Sequence, residues 1–427
     1  MHFIDVRLAG ADGRVRVIQH IGAASTVLLK NNNATLPLCK PRSIALIGND
    51  LGPSIYGPNG CADRGCDNGT LAMGWGSGTD QFPYLIDPLE AIQRRARHDH
   101  TDISWWFSNY DLINAAATAT GVEVAVVGIN SDSGEDYITV DGNEGDRNNL
   151  TAWQNGDNLV LAVAAVNNNT VVVVHSVGPL IIEPWIDHPN ITAVLWAGIP
   201  GQESGNSLVD VMYGSYNPSG RLPYTIARDR SDYSADIIYV NTDVPETPQV
   251  DYNEGLNIDY RHFLSANITP RYEFGYGLSY TSFNFTNLQI WDIEGSKRAP
   301  TELEENGNRT VGYFLSHALQ KPRWTVTADI QNVGAYDGCE IPQLYLSYPP
   351  PAGEPPRVLR DFVRINLEPW QAQKVYFNLS NYDVSIWNVK KQKWTIPEGE
   401  FGVVVAKSST DVGVTGRFCP SGKCRGQ

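Results

Sequence analysis

The sequence predicts an α/β protein: an α/β sandwich on a mainly parallel sheet, followed by an all-β sandwich. Three observations carry that prediction. Four short runs in the first half are rich in Val and Ile and apolar on both faces, as strands covered by helices on both sides are. Apolar stretches suited to crossover helices lie among and after them. Past about residue 309 the pattern turns to alternating apolar and polar positions, broken by Gly, Pro and Asn.

In chain order, "SIALIGND" (43–50), "VEVAVVGI" (122–129), "TVVVVHSVG" (170–178) and "ITAVLWAG" (191–198) are the expected parallel strands. "AWQNGDNLVLAVAAVNNN", between the second and third, is apolar enough for a packed helix and ends in an Asn cluster that stops it. "GQESGNSLVDVMYG" follows the fourth strand as another helix, and "NPSGRLP" is a turn. Segment 1–37 is expected to be a remnant of a linker or helix, 38–228 the α/β sandwich, and 229–308, rich in Pro, Tyr, Asn and Gly, a connecting segment. Residues 309–418 hold the alternating runs "RWTVTADIQNVG", "EIPQLYLSYPP", "RVLRDFVRINLEP", "QKVYFNLS" and "GEFGVVVAKSS", a β-sandwich of about a hundred residues.

A chain of 427 residues exceeds a single domain of about 150, so two or three are expected. The net charge of −15 argues against binding a phosphate backbone, so nucleic acid is not an expected partner. No apolar run approaches the roughly twenty residues of a membrane span. The chain carries 11 Trp and 20 Tyr, whose rings can stack on the flat faces of sugars as well as fill a core. Of six cysteines, Cys61 with Cys66 and Cys419 with Cys424 are closely spaced. Paired His ligands at zinc spacing are absent, so short-loop disulfides are expected and no metal. Cys39 and Cys339 are left either as a long-range bridge or as two buried thiols. Asn33, Asn68, Asn149, Asn168, Asn190, Asn267, Asn284, Asn308 and Asn378 each open an Asn-X-Ser/Thr sequon. With the cysteines they point to a secretory route and an extracellular protein. The N-terminal residues lack the basic, apolar and small-residue order of a signal peptide, so further sequence is expected upstream.

"NSDSGEDYITVDGNEGDR" (130–147) places six carboxylates in a stretch that opens from the second strand. In parallel sheets the carboxyl ends of strands are where ligands sit. The spacing does not meet that of a calcium loop. A solvated loop, its acids meeting Arg147 and backbone N–H groups, is the plain reading. The sharper reading is that one carboxylate is a general acid: glycosidic cleavage needs one carboxylic acid to protonate the leaving oxygen and a second carboxylate as nucleophile or base. "SGEDY" offers Glu135 after a Gly, with an aromatic ring two residues on.

The blocks "ASTVLLKNNNATLPL", "GWGSGTDQFPYL", "SDSGEDYITVDGNEGDRNNL", "VVVVHSVGP", "WAGIPGQESGNSLVDVMYG", "NPSGRLPYTIA", "IDYRHF", "RYEFGYGLSYTSF" and "QNVG...GCEIPQLYL" resemble, in order and spacing, the C-terminal two-thirds of fungal glycoside hydrolase family 3 β-glucosidases. The resemblance runs from about residue 22 to about 416. It implies an α/β sandwich followed by a fibronectin type III-like domain, retaining hydrolysis of terminal β-D-glucosyl residues such as those of cellobiose, cello-oligosaccharides and aryl β-glucosides, and no cofactor. By that resemblance Glu135 stands where the family has its general acid/base, and Tyr137 where it has an aromatic beside the leaving-group subsite. Asp136 replaces the Gly of the family pattern, and a like charge beside the acid raises its pKa if it points inward. Asp141 and Glu144 are the rival acids. Ser77, in "GWGSGT", is a candidate to hydrogen-bond near the acid/base, His175 a satisfied packing histidine, and Glu203 a residue that caps or orients the helix after it. The family nucleophile is an Asp in an Asp-Trp motif on a barrel domain, and "TDISWW", "IWDIE" and "IWNVK" do not supply that motif. The expected missing partner is therefore that barrel, and the chain alone is expected to be inactive, or at most a carbohydrate-binding or partner module, with an exposed apolar face.

Overall fold

In the computed structural model, which describes residues 11–60, 68–74, 79–237, 250–293 and 317–420, the four expected strands lie side by side. They form one sheet with two strands the periodicity did not disclose. The chain divides into two units, Met1–Arg230 with Gly277–Tyr280, and Ser231–Tyr276 with Thr281–Gln427.

The first unit runs α1 (Ala11–Ser25), β1 (Val27–Asn31), β2 (Ser43–Ile47), α2 (Pro88–Asp99), β3 (Asp102–Trp106), α3 (Leu112–Ala119), β4 (Val124–Ser131), β5 (Gly134–Val140), β6 (Asn143–Asp146), α4 (Gly156–Ala164), β7 (Thr170–Ser176), β8 (Ile191–Trp196) and α5 (Ser204–Met212). The sheet order is β1-β8-β7-β4-β2-β3, parallel except for β1, which pairs antiparallel with β8. Every residue of β4, β7 and β8 is buried, which is why these strands read as continuous apolar runs. Ile44, Leu46, Val124, Val126, Val171, Val173, Ala193 and Leu195 share one core with Leu208, Val211 and Met212 of α5. Their strand neighbours point the other way, as the two-residue period requires, toward the side where α3 and α4 pack on β2 and β4.

The helices start where their sequences provide a cap. Asp87 accepts the Glu90 N–H at 2.9 Å ahead of α2, whose first residue is Pro88. Asp111 does the same for α3 through the Asn114 N–H at 3.1 Å. At the start of α5, Gly205 lies so close to α2's entry that a Cβ there would stand 2.1 Å from the Asp87 carbonyl oxygen.

The segment expected to be linker or helix, 1–37, holds α1 but also β1, an integral edge strand of the sheet. The α/β unit thus takes in strand residues before position 38. The acidic stretch expected as a loop is instead largely a hairpin: β5 and β6 pair antiparallel, with Gly134 opposite Asp146 and Val140 opposite Asn143.

The second unit is antiparallel throughout: β9 (Phe283–Asp292), β10 (Pro322–Asn332), β11 (Gly338–Glu340), β12 (Gln343–Ser347), β13 (Val358–Phe362), β14 (Ile365–Leu367), β15 (Ala372–Ser380), β16 (Ile386–Asn388), β17 (Lys393–Thr395), β18 (Phe401–Ala406) and β19 (Val414–Phe418). Sheets β15-β10-β9 and β13-β12-β18-β19 enclose one core, including Val326, Ile330, Leu344, Phe377, Phe401 and Val403. β9 falls in the segment expected to be a connection, and pairs along β10.

Neither reading of Cys39 and Cys339 holds. Neither is disulfide-bonded, Cys39 being exposed and Cys339 buried in β11, so there is no bridge between them and only one thiol is sequestered. A thiol reagent is expected to modify Cys39 in the native chain at once and Cys339 only after unfolding; peptide mapping of the label checks this. Cys419 is disulfide-bonded, whereas Cys61, Cys66 and Cys424 fall outside the described residues.

Candidate active site

Parallel register brings the carboxyl ends of β2, β4 and β7 to the same edge: Ile47 lies opposite Val127, and Asn130 opposite His175. The sequence "IGND" turns sharply after β2, at Gly48 with φ +106, and buries Asp50 completely. "VVVVHS" brings His175, the second-last residue of β7, to the same edge, also fully buried.

These two side chains meet. His175 Nδ1 lies 2.5 Å from Asp50 Oδ2, and its Nε2 lies 3.4 Å from the hydroxyl oxygen of Ser204, the buried first residue of α5. Asp50 Oδ1 accepts the Leu71 N–H at 2.9 Å and the Asn130 side-chain amide at 3.5 Å. Burial pushes the Asp50 carboxyl above its ordinary pKa, opposed by the charge and hydrogen bond of His175 and by the Leu71 N–H. An Asp–His–Ser constellation of this kind can activate a hydroxyl in an open site. Here all three groups are sealed from solvent, so the arrangement holds structure. His175 is the satisfied histidine the sequence suggested, but its partner is a carboxylate and not packing alone.

The acidic hairpin springs from the end of β4. Gly134, at φ +70, lets the chain pass so near β6 that a Cβ would stand 2.2 Å from the Gly145 carbonyl oxygen. Buried Asp132 accepts the Ser133 N–H at 2.7 Å. Arg147, at the hairpin's exit, donates from its backbone N–H to the Ser133 carbonyl at 2.7 Å, from Nε to the Ser131 hydroxyl at 3.0 Å, and from its guanidinium to the Pro179 carbonyl. The ends of the hairpin are thereby tied to the ends of β4 and β7.

Glu135, Asp136 and Tyr137 lie on β5, immediately after Gly134, and their side chains are outside the described residues. Ser77 is outside them as well. Asp141 and Glu144, the rival acids, are on the hairpin and exposed to solvent. Glu203 does not cap α5 with its side chain. It is buried and accepts hydrogen bonds from the Tyr84 hydroxyl and the Asn206 amide, both at 2.6 Å, and the bond to Glu203 raises the Tyr84 pKa. Glu203 therefore orients the first turn of α5 through Asn206. Among the sequon residues Asn33, Asn168, Asn267, Asn284 and Asn378 are exposed, Asn68, Asn149 and Asn190 are half-buried, and Asn308 is outside the described residues. Asp50, Asn130 and Ser204 are the polar residues of this edge that sequence reasoning did not single out. The available signal was a polar residue at or just past the end of an apolar strand for Asp50 and Asn130; Ser204 opens α5 and had none.

Among the described residues, no group of three or more His, Cys, Asp or Glu is arranged to hold a metal ion, and no helix is long and apolar enough to cross a membrane.

Residues 26–280 match the model of the glycosyl hydrolase family 3 C-terminal domain, and residues 340–409 that of a fibronectin type III-like domain. A probable beta-glucosidase L of Aspergillus fumigatus is 49% identical over 403 residues, covering 94% of this chain and 52% of that protein. Beta-glucosidase A of Aspergillus kawachii is 41% identical, covering 96% and 54%. The crystal structure of the beta-D-glucoside glucohydrolase from Trichoderma reesei superposes with a TM-score of 0.85 at 44% identity, over 94% of this chain and 55% of that one. The chain spans about half the length of the curated relatives it matches. The parallel sheet matched by the first domain model, the antiparallel strands matched by the second, and the identity along nearly the whole chain agree: this chain belongs to glycosyl hydrolase family 3 and comprises its C-terminal domain and a fibronectin type III-like domain.

Proposed function

We propose that the chain supplies the acid/base half of a retaining β-glucosidase that removes terminal β-D-glucosyl residues from cellobiose, cello-oligosaccharides and aryl β-glucosides. The observation that carries the proposal is the place of Glu135: on the hairpin at the carboxyl edge of the parallel sheet, within "SGEDY". In this reading Glu135 protonates the leaving glycosidic oxygen while an Asp outside these residues attacks the anomeric carbon. Glu135, now a carboxylate, then takes a proton from the water that hydrolyses the glycosyl-enzyme. The two carboxyls stand about 5–5.5 Å apart in such a site. Tyr137 and Ser77 are assigned to substrate binding. Exposed Ile55, Tyr56, Tyr110 and Ile113, on the segments after β2 and β3, suit a covering partner domain. The exposed sequon residues and the Cys419 disulfide suit an extracellular, glycosylated protein.

The test is hydrolysis of an aryl β-glucoside by the chain and by Glu135→Gln. No turnover by either is expected, because only one of the two required carboxylates is assigned within the chain. Turnover lost in Glu135→Gln would place a second carboxylate within these residues and overturn the external nucleophile; turnover retained in that variant would overturn the role of Glu135. A second reading, a catalytically inactive module that at most binds carbohydrate, is favoured by the half-length coverage of the relatives. Calorimetric titration with cellobiose separates the two, since weak binding that ignores Glu135→Gln favours the module.

A further inference from the structure

We infer that Asp50 and His175 are a positioning pair that fixes two segments next to candidate site residues, the end of β4 from which the hairpin of Glu135 springs and residues 68–74, which precede Ser77 in sequence. The inference deepens the assignment of Glu135 and rests on it. Three parts of the chain distant in sequence converge on the pair. Asp50 Oδ1 takes the Leu71 N–H at 2.9 Å, six residues ahead of Ser77, and the Asn130 amide at 3.5 Å, five residues ahead of Glu135. Asp50 Oδ2 takes His175 Nδ1 at 2.5 Å, and His175 Nε2 faces the Ser204 hydroxyl at 3.4 Å, at the head of α5.

Stability alone does not account for such a pair. Buried ionic pairs exchanged for apolar residues of similar volume commonly cost a protein nothing. What apolar groups cannot supply is direction, and here both carboxylate oxygens are aimed at segment ends. Asn130 passes the constraint on, since its carbonyl accepts the Trp153 N–H at 2.9 Å while its side chain reaches Asp50. Leu71 is joined in the same way to the loop before α5, because the Ala72 carbonyl accepts the Gly201 N–H at 2.8 Å. The two segments are therefore held in a common frame by one carboxylate and one imidazole.

Hydrogen exchange on the whole chain tests this without reading turnover, so its failure is distinct from failure of the Glu135 assignment. In Asp50→Ala, amides in 68–74 and 130–134 are expected to exchange about tenfold faster, with the inner residues of β7 unchanged. Asp50→Asn, which keeps an acceptor for Leu71, is expected to restore most of that protection. The imidazole provides a second readout in long-range proton–nitrogen spectra: Nδ1 is expected to be protonated in the native chain, donating to the Asp50 carboxylate, and to become an acceptor in Asp50→Asn, whose amide donates to it. Unchanged exchange at 68–74 and 130–134, or an equal rise within β7, would overturn the inference. If Asp50→Ala does not fold, the tautomer decides, and a proton that stays on Nδ1 in Asp50→Asn overturns it.

Discussion

His175→Ala is expected to destabilise the α/β unit by about 3–5 kcal/mol, because it leaves the Asp50 carboxylate buried without its partner. Urea unfolding followed by tryptophan fluorescence measures the loss. Its pH dependence carries a sign. Burial already raises the Asp50 pKa, and the imidazole is the largest influence opposing that rise. Without it the folded-state pKa climbs further above the unfolded one. A group raised in this way contributes stability below its unfolded pKa and loses it as pH rises through the folded value. The deficit of His175→Ala is accordingly expected to be smaller at about pH 4 than at about pH 7. A deficit that grows on acidification would contradict the geometry.

Trp153→Ala is the second large effect, at about 3–5 kcal/mol, from a fully buried ring. Trp153 lies beside the hairpin: its backbone N–H bonds the Asn130 carbonyl at 2.9 Å, and the next residue, Gln154, bonds the Asp141 carbonyl at 2.8 Å. Among the described residues the buried Trp153 indole N–H has no hydrogen-bond partner. Trp153→Phe removes that uncompensated donor while keeping most of the apolar contact, so its cost is expected to be well below that of the alanine variant. Parallel urea titrations of both variants check the ordering, and equal losses would mean that the indole N–H has an acceptor after all.

The contrast between what was legible and what was not follows from burial and from sequence distance. β2, β4, β7 and β8 announce themselves because helices cover both faces, so most of their positions are Val, Ile, Leu or Ala. β3 is an edge strand with exposed Asp102 and Trp105, so its "DISWW" carries neither a continuous apolar run nor a clean alternation. α2 is marked by the Asp87 cap and Pro88, but its "EAIQRRARHD" is too charged to stand out by apolarity. The hairpin was obscured by its composition, since acids and glycines are poor strand formers and, among the described residues, β5 and β6 pair only with each other. The Asp50–His175 contact spans 125 residues and that of His175 with Ser204 spans 29, so no local spacing encodes it. The proposal for Glu135, in contrast, rests on the few residues around it.

β1 has a practical bearing on where this domain can be cut. It runs antiparallel along β8, whose six residues are all buried, and so closes one end of the sheet. A version beginning at residue 38, the boundary that periodicity suggests, would bare the N–H and C=O groups of "ITAVLW" along an apolar, uncharged margin. Such a margin recruits strands from other molecules. Trimming between α1 and β1 would leave that margin covered, whereas trimming a dozen residues later is expected to make the domain aggregate.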